Sequence, residues 1–106
     1  MARPKEVPMR RWSPSVPVLA LAVLGAPAVP AAEIAAGVEL VPGRFEPGRQ
    51  PDGNSVILRG KDGLLVVDTG RHAEHAKRVI EVARETGLPV KAVVNTHWHL
   101  DHVSGN

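Results

Sequence analysis

Two apolar runs constrain this chain more than anything else in it: "NSVILRG" (Asn54–Gly60) and "GLLVVDT" (Gly63–Thr69). Both are rich in β-branched residues and leucine, and "GKDG" (Gly60–Gly63), a turn of residues that tolerate left-handed backbone, joins them. That pattern predicts an antiparallel β-hairpin. The next segment, "AEHAKRVIEVARETG" (Ala73–Gly87), changes period. Ala76, Val79, Ile80 and Ala83 fall at i, i+3, i+4 and i+7, one apolar stripe of a helix, and Lys77, Arg78, Glu81, Arg84 and Glu85 take the other faces. Gly87 ends that helix and Pro89 prevents its resumption. "KAVVNT" (Lys91–Thr96) then reads as a short buried strand. Strand, helix and strand in this order predict a crossover that brings the last strand back parallel to the second strand of the hairpin.

Whatever follows the last strand therefore leaves the sheet at a carboxyl end, where open α/β sheets place their ligands. Upstream, "GVELV" (Gly37–Val41) predicts one more strand, and the Pro/Gly-rich "PGRFEPGRQPDG" (Pro42–Gly53) predicts a loop.

The first thirty residues belong to a different regime. Arg3, Lys5, Arg10 and Arg11 precede the apolar "VPVLALAVLGAPAV" (Val16–Val29) and the small-residue run "PAAE" (Pro30–Glu33). Basic start, short apolar core and small residues are the order of a secretory signal peptide, so residues 1–31 are expected to be a leader and 32–106 the mature part. Cleavage after Ala31 or after Ala28 fits, and Arg10-Arg11 hints at twin-arginine export. The apolar run is too short to span a bilayer comfortably and Pro17 and Pro27 interrupt it, so no stable membrane anchor is expected after cleavage. The location implied is periplasmic or secreted.

The basic balance of the whole chain, 13 Lys+Arg against 11 Asp+Glu, comes from that leader. Beyond it the charges are nearly even and aromatic residues are almost absent, so nucleic acid is excluded as an expected partner. There is no cysteine, which removes disulfides and thiolate metal ligands from consideration.

The predicted last strand runs into "NTHWHLDHVSGN" (Asn95–Asn106). Residues i and i+2 of an extended segment point to the same side, so His97 and His99 can address one metal ion with Trp98 pointing away. Asp101 continues the alternation, and His102 comes round as the chain turns. Imidazole and carboxylate donors suit Zn²⁺, with Fe²⁺ or Mn²⁺ possible, and not the all-oxygen sites of Ca²⁺ or Mg²⁺. Four donors this close strain a single tetrahedral ion. Two ions relieve the crowding, with His97 and His99 on one and Asp101 and His102 on the other. The competing reading is a solvated, His-rich surface loop. His72 and His75, at i, i+3 on the start of the helix, are expected to be solvated. Asp68, at the end of the hairpin's second strand, fits either a turn former or a brace beneath the loop.

These residues resemble the H-x-H-x-D-H signature of the metallo-β-lactamase superfamily. "NSVIL" is similar to that family's early strand, "GLLVVDTG" to its strand ending in Asp beneath the metal loop, and "EHAKRVIEVARETGLPVKAVVNTH" to the helix and strand that lead into the signature. The resemblance runs from about Val38 to Asn106. It implies an α/β fold, the N-terminal half of a four-layer αββα sandwich, with a dinuclear zinc site at one edge. It implies His97, His99, Asp101 and His102 as metal ligands, and Asp101 as the catalytic residue that exchanges a proton. The activity implied is hydrolysis of a small-molecule ester, thioester, amide or lactam, in which a metal-bound hydroxide attacks the carbonyl. The family completes its metals with a further His, a bridging Asp and a final His, and none follows Asn106. A truncated hydrolase is therefore expected, and the alternative is an inactive exported fragment or weak metal-binding remnant.

Overall fold

The computed structural model describes residues 29–106. The leader expected over residues 1–31 lies almost wholly outside them. The hairpin is present: β3 (Ser55–Arg59) pairs antiparallel with β4 (Leu64–Val67), Ile57 opposite Val66 and Arg59 opposite Leu64. Its turn is closed by the Gly60 N–H donating to the Gly63 carbonyl at 2.8 Å. The strand expected at Gly37–Val41 is β2 (Val38–Val41), antiparallel to β3. A strand that the sequence reading did not foresee, β1 (Ala32–Ala35), pairs with β2 across a turn in which Gly37 has φ 71°. After α1 (Ala73–Glu85), β5 (Val90–Val94) returns parallel to β4, as the crossover argument requires. The short α2 (Leu100–Val103) follows. The sheet order is β1-β2-β3-β4-β5.

Alternation along the strands decides where the core lies. Val41, Ile57, Leu64 and Val66 point to the face that α1 covers, and Val79 and Ala83 of the helix complete the buried cluster. Burying side chains of this size contributes about 1.5–3 kcal/mol each. On the opposite face Val56, Leu58, Leu65 and Val67 are only half-buried. A strand such as "LLVV", apolar on both faces, suits a sheet covered on both sides.

Three expectations need correction. His75, expected in solvent, is 3% exposed and belongs to the buried face of α1 with Val79 and Ala83. These three are spaced i, i+4, i+8, so the helix turns a histidine toward the sheet where a fully apolar stripe was expected. Ile80, assigned to that stripe, does line the sheet-facing side with Val79, Val90 and Val93 but is 48% exposed, because the groove between α1 and β5 is open. The last strand is not buried: Val90, Val93 and Val94 are each almost half exposed. β5 is the last strand in the sheet order, and α1 packs chiefly over β3 and β4.

Candidate metal centre

The site is built where β4 and β5 end side by side. At the end of β4, Asp68 adopts φ 60°, left-handed backbone that Asp tolerates better than most side chains. Its N–H still donates to the Val94 carbonyl at 2.9 Å, so the two strand ends stay in register. That turn delivers the Asp68 carboxylate to the start of the following loop. Oδ1 accepts the Thr96 backbone N–H at 2.8 Å, and Oδ2 accepts the Thr96 hydroxyl at 2.7 Å. Oδ2 also accepts the Nδ1 proton of His102 at 2.8 Å. The carboxyl is 4% exposed. Burial works to raise its pKa, but the bonds from Thr96 and His102 outweigh it and hold the group below the ordinary carboxylate range. Asp68 is thus a brace beneath the loop as well as a turn residue.

Because an ionised carboxylate only accepts, these bonds assign protons. His102 carries a hydrogen on Nδ1, so in the neutral ring the lone pair is on Nε2. The single hydroxyl proton of Thr96 is committed to Asp68, so His97 Nδ1, 2.9 Å from Thr96 Oγ1, must be the donor of that contact. His97 then also presents a lone pair at Nε2. One buried aspartate fixes the tautomers of two histidines, one directly and one through a threonine, in the manner that orients imidazole ligands in metal sites.

The rings lie together at the loop's outer side. His97 and His102 have centroids 4.1 Å apart, and His97 and His99 stand edge to face at 4.7 Å. The expected extended alternation stops at Val94, because the chain bends through Thr96–Trp98 and His99 caps α2 with ψ 142°. His97 therefore sits closer to His102 than to its i+2 neighbour. Trp98, expected to point away, is 79% exposed but stands edge to face with His99, ring centroids 4.8 Å apart. His102 Nε2 is 3.3 Å from Asp101 Oδ2. With Nδ1–H committed to Asp68, Nε2 faces a carboxylate oxygen, an arrangement that either a second ring proton or a shared cation satisfies. The donor set therefore fits a metal ion in its chemistry. Among the described residues, no three His, Asp or Glu side chains are arranged to hold one ion by themselves.

Several contributors were not foreseen. The His102 carbonyl accepts the Thr69 N–H at 2.8 Å and the Asn95 side-chain amide at 3.0 Å, and Asn106 donates to Asn95 Oδ1 at 2.7 Å. Asp52, in the upstream loop, accepts the backbone N–H groups of Arg71 and His72, each at 2.8 Å, and contacts His72 Nδ1 at 3.1 Å. It serves the start of α1 as a cap donated from another segment. Nothing in the sequence marks Asp52 for this, since an Asp-Gly pair in a proline-rich stretch reads first as a turn.

The fold and the site define an α/β protein that presents a histidine- and aspartate-rich loop at the carboxyl edge of a helix-backed sheet. The sequence model of the metallo-beta-lactamase superfamily matches residues 48–106, more than half of the chain, and the chain belongs to that superfamily of hydrolases. It is 36% identical over 50 residues to the linear primary-alkylsulfatase of Pseudomonas sp. (strain ATCC 19151), a match covering 46% of this chain and 10% of that protein. It is 31% identical over 74 residues to the (R)-specific secondary-alkylsulfatase of Pseudomonas sp, covering 68% of this chain and 11% of that protein. Among solved structures it resembles the metallo-beta-lactamase FIM-1 from Pseudomonas aeruginosa in its mono-zinc form, with TM-score 0.56 and 28% identity over 74% of this chain and 38% of that one. The chain thus spans about a tenth of the length of these curated relatives.

Proposed function

We propose that this chain carries the metal-binding loop of a zinc-dependent hydrolase acting on a small molecule. His97 and His99 would hold one ion and Asp101 and His102 a second, with Fe or Mn as the alternatives to zinc. The carrying observation is the Asp68 network, which commits Nδ1 of both His97 and His102 as donors and leaves Nε2 of each as the nitrogen for a metal. The mono-zinc form of FIM-1 adds support for the choice of metal.

Bound metal ions supply Lewis acidity and lower the pKa of water from about 16 to near 7. Asp68 and Thr96 orient the imidazoles, and Asp101, part-exposed beside His102, takes up or delivers the proton of the attacking water. Each ion receives two donors from this segment, so its remaining positions are left to donors outside it, and turnover by these 106 residues alone is not expected. Zinc titration of the chain tests the site: binding lost on His99→Ala and on His102→Ala supports it, and binding unchanged by both overturns it. Hydrolysis of an ester, thioester or lactam by the chain, abolished by His99→Ala, would overturn the need for outside donors.

Within this reading one substrate class has a specific observation in its favour. The two curated relatives named above are alkylsulfatases, which supports a sulfate ester over a carbonyl as the bond attacked. A complete protein containing this segment, assayed against an alkyl sulfate and a β-lactam, separates the two by which it cleaves. The leader expected over residues 1–31 makes export to the periplasm part of the proposal, and the mass of the mature N-terminus in a periplasmic fraction tests it.

A further inference from the structure

Gly53, at the end of the proline-rich loop, touches the site at His102 and Asp101. Its N–H donates to the Asp101 carbonyl at 2.8 Å. A Cβ at this position would lie 2.6 Å from His102 Cε1, 2.8 Å from His102 Nε2 and 2.8 Å from the Asp101 carbonyl oxygen. Real Cβ contacts essentially never come so close, so a methyl group there must displace something. Gly53 is not among the residues with positive φ, so its backbone does not itself demand glycine. What demands it is the imidazole together with the Asp101 carbonyl.

The loop has little freedom to retreat. Asp52 is anchored to the start of α1 by three contacts, and its N–H donates to the Arg44 carbonyl at 3.0 Å. Asn54 Oδ1 accepts the Gly43 N–H at 2.8 Å. Residues on both sides of Gly53 are therefore pinned, while Nδ1 of the His102 ring is held by Asp68. The ring lies in a slot between a buried carboxylate and a bare main chain, and the edge facing the glycine carries Cε1 and Nε2.

We propose that Gly53 is a positioning residue for the donors of the second metal: its N–H sets the Asp101 main chain, and its missing side chain leaves the space into which His102 presents Nε2. This rests on the reading of His102 as a metal ligand. The segment before the hairpin, which carries no ligand of its own, thereby becomes part of the site.

The test uses Gly53→Ala in this chain, with Gly60→Ala at the hairpin turn as a control for the general effect of replacing glycine. In the metal-free protein, Gly53→Ala shifts the imidazole ¹⁵N and ¹H resonances of His102 and leaves the amide signals of β3 and β4 in place, whereas Gly60→Ala leaves His102 unmoved. Zinc affinity falls by about tenfold or more, the range found when the support of a metal-bound histidine is disturbed. Thermal unfolding in the His102→Ala background supplies an arm that holds even if Gly53→Ala alone does not fold. With the ring removed, Gly53→Ala costs measurably less stability than in the parent chain, the close approach to the Asp101 carbonyl accounting for what remains. Unmoved His102 resonances with unchanged zinc affinity, or the same loss of stability in both backgrounds, overturn the proposal. A parent chain that binds no zinc overturns the metal reading instead, and the resonances and the unfolding cycle still decide whether Gly53 places the ring.

Discussion

Asp68 and Thr96 are joined twice, backbone N–H to Oδ1 at 2.8 Å and hydroxyl to Oδ2 at 2.7 Å, so the ends of two parallel strands are tied by one side chain. Asp68→Asn keeps the shape but replaces an acceptor oxygen by a donor amide. One contact with Thr96 or His102 then sets donor against donor, and His102 loses the anchor that keeps its proton on Nδ1. The loss expected is about 2–3 kcal/mol for hydrogen bonds to a buried charged group. For a domain of this size that lowers the midpoint of thermal unfolding by roughly 10–20 °C. Zinc affinity falls by about 10–100-fold. Calorimetry and titration against a chelating dye measure the two effects separately.

Thr96→Val removes the hydroxyl and leaves the backbone N–H bond to Asp68 in place. The side chain is exposed, so the effect on stability is small, about 0.5–1 kcal/mol. Its consequence lies in His97, which loses the acceptor for its Nδ1 proton. The ¹⁵N shifts of that ring should show a mixture of tautomers where the parent chain shows one. A ring that keeps a single tautomer in Thr96→Val would disprove the relay.

Ser55 Oγ and His75 Nε2 are 2.8 Å apart in the interior and join α1 to β3. Ser55→Ala leaves that ring nitrogen unpaired where water cannot replace the serine, at a cost of about 1–3 kcal/mol. His75→Leu removes the polar group instead, and the pair Ser55→Ala with His75→Leu is less destabilised than Ser55→Ala alone. Denaturant unfolding of the three variants decides this.

His75 also makes stability depend on pH. Burial lowers its pKa, and the positive charge of Arg78 adds to this while Asp52 opposes it. A histidine depressed in the folded state binds its proton more readily when unfolded. Its contribution is therefore complete above the ordinary histidine value of about 6.5 and is lost as pH falls below it toward the folded value. Asp52 and Asp68, whose pKa values the hydrogen bonds lower against the opposing effect of burial, add a second loss below 3.8 as pH falls toward their folded values. Metal-free chain should show two separate declines in unfolding free energy on acidification. His75→Leu should abolish the upper one and spare the lower.

Zinc removal gives the last check. A ligand bound only by the folded state stabilises it by about 2.7 kcal/mol at a hundred times its dissociation constant. A chelator should therefore lower the unfolding midpoint of the parent chain and leave that of a variant with both His99→Ala and His102→Ala unchanged.

Several features were legible in the sequence because they depend on local rules. Strand period, the Gly-rich turn, the helical stripe and the stop at Gly87 and Pro89 each follow from residues a few positions apart, and they placed β2, β3, β4, α1 and the parallel return of β5. The donor types His97, His99, Asp101 and His102 were visible for the same reason, since the cluster is continuous in sequence. His75 carried a readable signal too. Its spacing from Val79 and Ala83 puts it on the buried stripe, but a histidine near a helix start is discounted unless its partner is known, and Ser55 is twenty residues away.

What only the tertiary structure decided is where protons sit and what lies against the candidate donors. Asp68, Thr96 and His102 come from two strand ends and a loop. Their tautomer-fixing network exists only because β4 and β5 run parallel and end together. Gly53 meets His102 across 49 positions of sequence, and no period or motif connects them. The sequence by itself determined which elements form and which donor atoms are available. The packing of the upstream loop and the strand ends around one imidazole determined which nitrogen is free to use.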